Sequence, residues 1–218
     1  MTSRTSSFDR RRRIFAATVA LALVPVTACT GGGTTPGATA APEPSSPTAS
    51  PAPTATPTPT ASYKPADASG RAQNVPVPVL PEAAKAETKE GAIAFAEHWY
   101  AALNYAYQTG DFGPMDAVTS AGCRMCAKVR PGIVEWNSEG RWIAGGLVVV
   151  KGAFTEFVKT ADGNYQVTTQ LEQPDGFLYR ADSSIEKSVP ASQVLADIMT
   201  VRFTDGIWNA VDVDRLGL

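Results

Sequence analysis

The sequence predicts an α+β domain, with helices first and an antiparallel sheet after them. Three observations carry this reading. Apolar residues recur at three- and four-residue spacing up to about residue 137, and at two-residue spacing beyond Arg141. Proline, glycine and Asp-Gly signals fall between the periodic runs, where helices and hairpins stop. All four tryptophans and most phenylalanines lie between Val75 and Leu218, enough apolar surface for one core, whereas nine of the 17 prolines crowd between Pro36 and Pro65.

The elements follow in order. Pro81 opens and Gly110 closes a stretch of helix formers, which predicts one long helix over 82–108. Ala92, Phe95, Ala96, Trp99, Leu103, Ala106 and Tyr107 form its apolar stripe, with Lys85, Lys89, Glu90, Glu97 and Asn104 outside it. A short helix after Pro114 carries Met115 and Val118, and a third is expected from about Cys126 to Asn137, bent or delayed by Pro131. Residues 147–157 then read as a strand. Tyr165, Val167, Thr169 and Leu171 alternate with Gln166, Thr168, Gln170 and Glu172 as a half-solvated strand, and Asp162-Gly163 marks the turn before it. Pro174-Asp175-Gly176 leads into a smaller hairpin, 177–180 with 185–189. The last pair, 194–203 and 207–213, joins across Asp205-Gly206. Helices would cover one face of this meander. The predicted inner positions, Phe95, Trp99, Leu103, Val148, Val150, Val201 and Phe203, are apolar, which describes a filled core or a greasy pocket.

The first 28 residues read as an export signal. Arg4 and Arg10 to Arg13 precede an uncharged run from Ile14 to Ala28, shorter than the roughly twenty residues that span a bilayer as a helix. Val26-Thr27-Ala28-Cys29 resembles the lipobox of bacterial lipoproteins, which implies a diacylglycerol on the sulfur of Cys29 and anchoring to the outer face of the cell membrane. Arg12-Arg13-Ile14-Phe15 resembles a twin-arginine export signal, so Sec and twin-arginine export both stay open. Removing residues 1–28 takes away five of 19 basic and one of 21 acidic residues, leaving 14 against 20 and a net charge of −6. An acidic domain is repelled by an anionic bilayer and stands off it. Residues 29–74, beginning with Gly31-Gly32-Gly33 and then rich in Pro, Thr and Ala, hold too little apolar surface to fold and read as a disordered tether to the domain at 75–218. Their Thr/Pro composition also fits an O-glycosylated stalk.

The order of a long aromatic-bearing helix, two shorter helices and a curved sheet ending in a Trp-containing strand resembles the nuclear-transport-factor-2-like cone fold. More narrowly, Ala96 to Gly110, Cys123-Arg-Met-Cys126, Trp142 to Gly146 and Trp208 with Val211-Asp-Val213 resemble an uncharacterised domain family of actinobacterial cell-envelope lipoproteins. That resemblance spans about residues 80–213. It implies place and fold without an activity, because cone folds host isomerases, dehydratases, binding subunits and adaptors.

Net charge near zero without a basic stripe excludes a nucleic-acid footprint, and a single histidine leaves a multi-histidine metal centre without ligands. No cofactor is expected. G-x-S-x-G, P-loop and H-E-x-x-H patterns are missing from the sequence. With Cys29 lipidated, Cys123 and Cys126 pair evenly as a structural disulfide outside the cytoplasm. A thiol oxidoreductase with the same spacing would need a strand before the pair and a βαβ order, which this chain lacks. His98 and Tyr105 share a helix face two turns apart, and with Trp99 they are the candidate pocket residues. Asp111, Asp116 and Asp197 read as surface or capping residues, Gly145-Gly146 as a strand start or bulge, and Asp212 and Asp214 as a solvated strand edge. No residue is assigned as catalytic. The expected function is an extracytoplasmic lipoprotein that binds a small apolar molecule or another envelope protein. The alternative is a cone-fold, isomerase- or dehydratase-like enzyme on a small apolar substrate. Dimerisation through the sheet face would bury Gln166, Thr168 and Gln170.

Overall fold

The computed structural model of the chain describes residues 61–217. The export signal, Cys29 and the tether up to residue 60 lie outside the described residues. The element order is a 3-10 turn at Glu82–Lys85, helices α1 (Lys89–Thr109), α2 (Gly113–Asp116) and α3 (Arg124–Trp136), then strands β1 (Trp142–Gly145), β2 (Val149–Phe154), β3 (Tyr165–Gln173), β4 (Gly176–Tyr179), β5 (Ile185–Val189), β6 (Ser192–Thr204) and β7 (Ile207–Arg215). This is the α+β order expected.

The long helix starts later than its composition suggests. Thr88 leaves helical geometry and its hydroxyl oxygen accepts from the Gly91 N–H at 3.0 Å, an N-cap. Ala86 is extended, and its carbonyl accepts the indole N–H of Trp208 at 2.9 Å. A tertiary bond to that carbonyl wins over continuing the helix, so 82–85 is a separate turn. Gly110 closes α1 at φ 79°, with its N–H on the Ala106 carbonyl at 2.8 Å. Only glycine fits there, because a Cβ would lie 2.7 Å from the Cβ of Asn137. Helix α3 begins at Arg124, earlier than expected, and runs through Pro131 without ending. Ala127, whose carbonyl loses its partner to the proline, and Pro131 itself are both exposed, so the break in the helix ladder falls on the solvent side.

The strands form two sheets rather than one meander. β2-β3-β6-β7 is a four-stranded antiparallel sheet and β1-β4-β5 a three-stranded one. The four residues of β1 are too short a run to announce a strand. Gly145 and Gly146 close it at φ 68° and 64°, and two successive left-handed residues steer the chain out of β1 and into the other sheet. The β6–β7 hairpin closes on Asp205 and Gly206 at φ 54° and 80°, the geometry of a two-residue type I′ turn. β3 alternates as predicted, with Tyr165, Val167, Thr169 and Leu171 buried against α1 and Gln166, Thr168, Gln170 and Glu172 exposed.

The main core joins Phe95, Trp99, Leu103 and Ala106 of α1 to Val167 and Leu171 of β3, Met199 and Val201 of β6, and Trp208 and Val213 of β7. Val148, Val150 and Phe203 pack on its rim and are half-buried. A smaller cluster stacks Trp142 on Tyr179, ring centroids 5.1 Å apart. Residues 61–74, which composition assigns to the tether, pack on this end of the domain. Trp142 Nε1 donates to the Asp67 carbonyl at 2.9 Å, Tyr63 donates to Gln108 at 2.6 Å, and Lys64 and Gln73 pair backbone to backbone. Residues 61–74 therefore belong to the folded unit, because paired backbone groups and the packing of Ala66 hold a stretch too polar to fold alone.

Candidate functional site

The interior of the larger sheet holds a charge. Asp197 on β6 is completely buried, contrary to the surface role its sequence context suggests. Tyr100 on α1 donates its hydroxyl proton to Asp197 Oδ2 at 2.9 Å, Arg215 on β7 donates Nε to Oδ1, and Thr169 on β3 lies 3.0 Å from the Tyr100 hydroxyl. Burial first, and the Asp197 charge second, push the Tyr100 phenol far above its ordinary range. Tyr100 is therefore a permanent hydrogen-bond donor to the carboxylate. Both carboxylate oxygens are engaged, and a charge so paired is tolerated away from water. The clue in the sequence is parity: Asp197, Met199 and Val201 are two apart on one strand face. Arg215 reaches the same interior because a bulge opposite Thr200 and Val201 shifts β7 by one residue, so Trp208, Ala210 and then Val213 point inward.

The polar seam continues toward an opening. Tyr107 lies seven residues, about two helical turns, beyond Tyr100, and Gln173 lies four residues beyond Thr169 on the same face of β3. The Tyr107 hydroxyl meets the Gln173 side chain, burial raises its pKa, and the Arg215 cation works against that rise. Both residues line a cleft of about 260 Å³ between the ends of the two sheets, walled by Ile143, Phe177, Leu178 and Val189. Gly146 and Gly176 line it with backbone alone, and a Cβ on Gly146 would come within 3.2 Å of the Gly176 Cα. Gln173 Nε2 donates to the Gly146 carbonyl at 2.8 Å and ties the seam to this glycine wall.

The three residues singled out by sequence as a pocket do not meet. Trp99 is fully buried and its indole donates to Thr119 Oγ1 at 2.9 Å, so it is core rather than pocket wall. Tyr105 lines a separate surface groove with Tyr63, Val75, Val77 and Leu147. His98 is only 7% exposed and hydrogen-bonds the backbone of Val79. Asn104, expected outside, is half-buried and holds the Val148 backbone by a pair of 2.8 Å bonds. Asp111 caps the Gly113 N–H and Asp116 pairs with Arg130. Asp212 and Asp214 are bound to Arg124 at the start of α3, at 2.6 and 2.7 Å. Cys123 and Cys126 are joined as a disulfide, Cα atoms 5.3 Å apart, and Cys123 Sγ accepts from the Cys126 N–H at 3.3 Å as the cap of α3. Among the described residues no group of three or more His, Cys, Asp or Glu side chains converges to hold a metal ion, and no helix is long and apolar enough to cross a membrane.

Burial depresses the His98 pKa below its ordinary value, so the folded state binds its proton later than the unfolded chain as pH falls. The stabilisation is complete above the unfolded value near 6.5 and is lost as pH falls through the folded value. Since His98 is the only histidine, melting temperature measured from pH 7.5 to 5 is expected to fall in the native chain and to flatten over that window in His98→Gln. Parallel profiles would assign the loss to other groups.

The fold and the seam define an α+β domain whose internal charge is compensated from within and whose one seam-connected cleft is small and mostly apolar. Residues 61–214 match the family described as "Family of unknown function (DUF6318)", and the chain belongs to that family. No curated protein matches the sequence. Among solved structures, the intermembrane space region of the chloroplast protein ARC6 is similar at 14% identity and a TM-score of 0.43, over 60% of this chain and 98% of that one. Aln2 from a Streptomyces species is similar at 14% identity and a TM-score of 0.36, over 56% of this chain and 88% of that one.

Proposed function

We propose that this protein is an extracytoplasmic lipoprotein, held at the membrane through Cys29, whose cone-like domain binds a ligand and performs no catalytic step. The observation that carries the binding role is the seam itself. Tyr100 and Asp197, a buried tyrosine and a buried acid of the domain, are bound to each other, to Thr169 and to Arg215, out of reach of solvent and so of a substrate. The cleft that opens beside this seam is small and apolar with few polar groups, the anatomy of a binding site. The disulfide supports an oxidising compartment, where such bonds persist. The lipobox-like Val26-Thr27-Ala28-Cys29 and the polar, proline-rich stretch after it support anchoring with the domain held off the bilayer.

Two readouts test this. The intact mass of the exported chain is expected to exceed that of residues 29–218 by at least a diacylglycerol, and Cys29→Ser is expected to move the protein out of the membrane fraction. An unchanged membrane fraction in that variant defeats the lipoprotein reading. Turnover of a small substrate that Tyr100→Phe abolishes, with the domain still folded, defeats the non-catalytic one.

A further inference from the structure

We propose that the groove beside Tyr105 seats an extended, proline-rich peptide, and that its occupant is the chain's own segment 51–60. This is a second site, and it does not depend on the ligand role proposed for the cleft beside Tyr107. The helix sets the length of the seat. Ala101, Asn104, Tyr105 and Gln108 line the groove from α1 at i, i+3, i+4 and i+7, one face over seven residues or about 10 Å. A polyproline II chain advances about 3.1 Å per residue, so four of its residues cover that face. A second wall is Val75-Pro76-Val77-Pro78, in which each proline fixes its own φ and drives the valine before it into the extended region. Val75 and Pro78 are half-buried, so this surface already seats one extended, proline-alternating chain. Val77 and Tyr63 stand 57% and 45% exposed, an apolar lip open to solvent. The Tyr63 ring is held in place by its hydroxyl, which donates to Gln108 at 2.6 Å. Flat phenol rings are the surfaces on which proline rings pack in polyproline recognition, and the groove, of about 470 Å³, offers two.

The sequence next to the groove supplies the occupant. No charged side chain lines the groove, and residues 44–60 contain none. The clefts beside α3 and beside Trp136 differ, with Asp116 and Arg130 in one and Glu135, Glu139 and Arg141 in the other. Segment 51–60 holds the four-residue unit Pro-x-Pro-Thr twice, at 51–54 and 57–60, each the length of the seat. The second unit ends immediately before Ala61, and Tyr63 is already a wall of the groove, so the chain outside the described residues joins the domain at the rim of this site. The uncharged cleft beside Tyr107 lacks that connection, since all its lining residues lie between 107 and 189. Attachment at the rim presents the segment at a millimolar effective concentration, which fills even a weak site. Docking withdraws ten residues from the spacer, and the reach of the domain from Cys29 shortens by about 30 Å.

The test uses the full exported chain, isotope-labelled for chemical-shift mapping, with Cys29→Ser in the background so that anchoring plays no part. It is compared with a chain that also carries Pro51→Ser, Pro53→Ser, Pro57→Ser and Pro59→Ser. The amides of Ala101, Tyr105 and Leu147, far in sequence from the changes, are expected to differ between the two chains. A synthetic peptide copying residues 50–60 should then saturate the serine-substituted chain through the same amides, and bind the chain that keeps its prolines about tenfold more weakly, because the attached segment competes. Val77→Asp, at an exposed position where a charge is tolerated by the fold, should remove both the shift difference and the peptide binding. Unchanged shifts at Ala101, Tyr105 and Leu147, equal peptide affinity for the two chains, or peptide shifts centred on Tyr107 and Ile143 overturn the proposal. A shift difference that fades on dilution places the segment of a neighbouring copy in the groove and overturns the intramolecular occupant.

Discussion

Replacing Arg215 with methionine is expected to lower the free energy of unfolding by about 3–5 kcal/mol, the usual cost of stripping a buried carboxylate of its partner. Asp197 has no solvent exposure, and after the change Tyr100 alone would donate to it. The double variant Asp197→Leu with Arg215→Met should recover most of the loss, since two apolar groups of similar volume replace the pair and Tyr100 keeps Thr169 at 3.0 Å. Urea unfolding followed by tryptophan fluorescence measures both. A single variant within about 1 kcal/mol of the native chain, at unchanged denaturant slope, would mean that Arg215 is not what compensates Asp197.

Trp208→Ala is expected to cost a similar amount, about 3–5 kcal/mol, for a different reason. The indole is fully buried among Phe95, Phe157, Tyr165 and Phe203, with ring centroids 5.0 to 6.5 Å away, so its removal leaves a cavity lined by rings. Its N–H also satisfies the Ala86 carbonyl that ends the helical run before Thr88. Trp208→Phe separates the two effects, since most of the packing stays and the Ala86 carbonyl keeps only the Thr88 N–H, for about 1 kcal/mol. Hydrogen exchange at residues 82–92 should quicken in both variants. Unchanged protection there would show that the break before α1 does not depend on Trp208.

The elements legible in the sequence are those with a sustained period and a stop signal. The α1 stripe, the alternation of β3 and the Asp205-Gly206 turn each combine local chemistry with burial on a single face, so local and tertiary demands agree. The division into two sheets is hidden because β1 is four residues long and mostly apolar, a pattern that suits several environments. Composition extends helix α1 too far because the bond that stops it comes from Trp208, far along the chain. The candidate site escapes sequence reasoning for the same physical reason. Tyr100 and Tyr107 look like ordinary helix aromatics and Asp197 like a surface acid, since partners on β3 and β7 are chosen by strand register, and a one-residue bulge decides which side Arg215 faces. His98, Trp99 and Tyr105 stand out through rarity and spacing along one helix, which carry no information about what packs against it.

The glycine pair at 145–146 also bears on the order of assembly. β2 pairs with β3 from Val149 opposite Glu172, and β1 pairs with β4 up to Gly145 opposite Gly176, so the two ladders are consecutive stretches of one long hairpin kinked at the glycines. Closing β1 on β4 directly would cost the entropy of a large loop, but once β2 and β3 have zipped only a few residues separate the paired ends on each side. The smaller sheet is then a late extension of the larger one rather than an independent nucleus. The cleft between the sheets then takes its final shape only after β2 and β3 have paired.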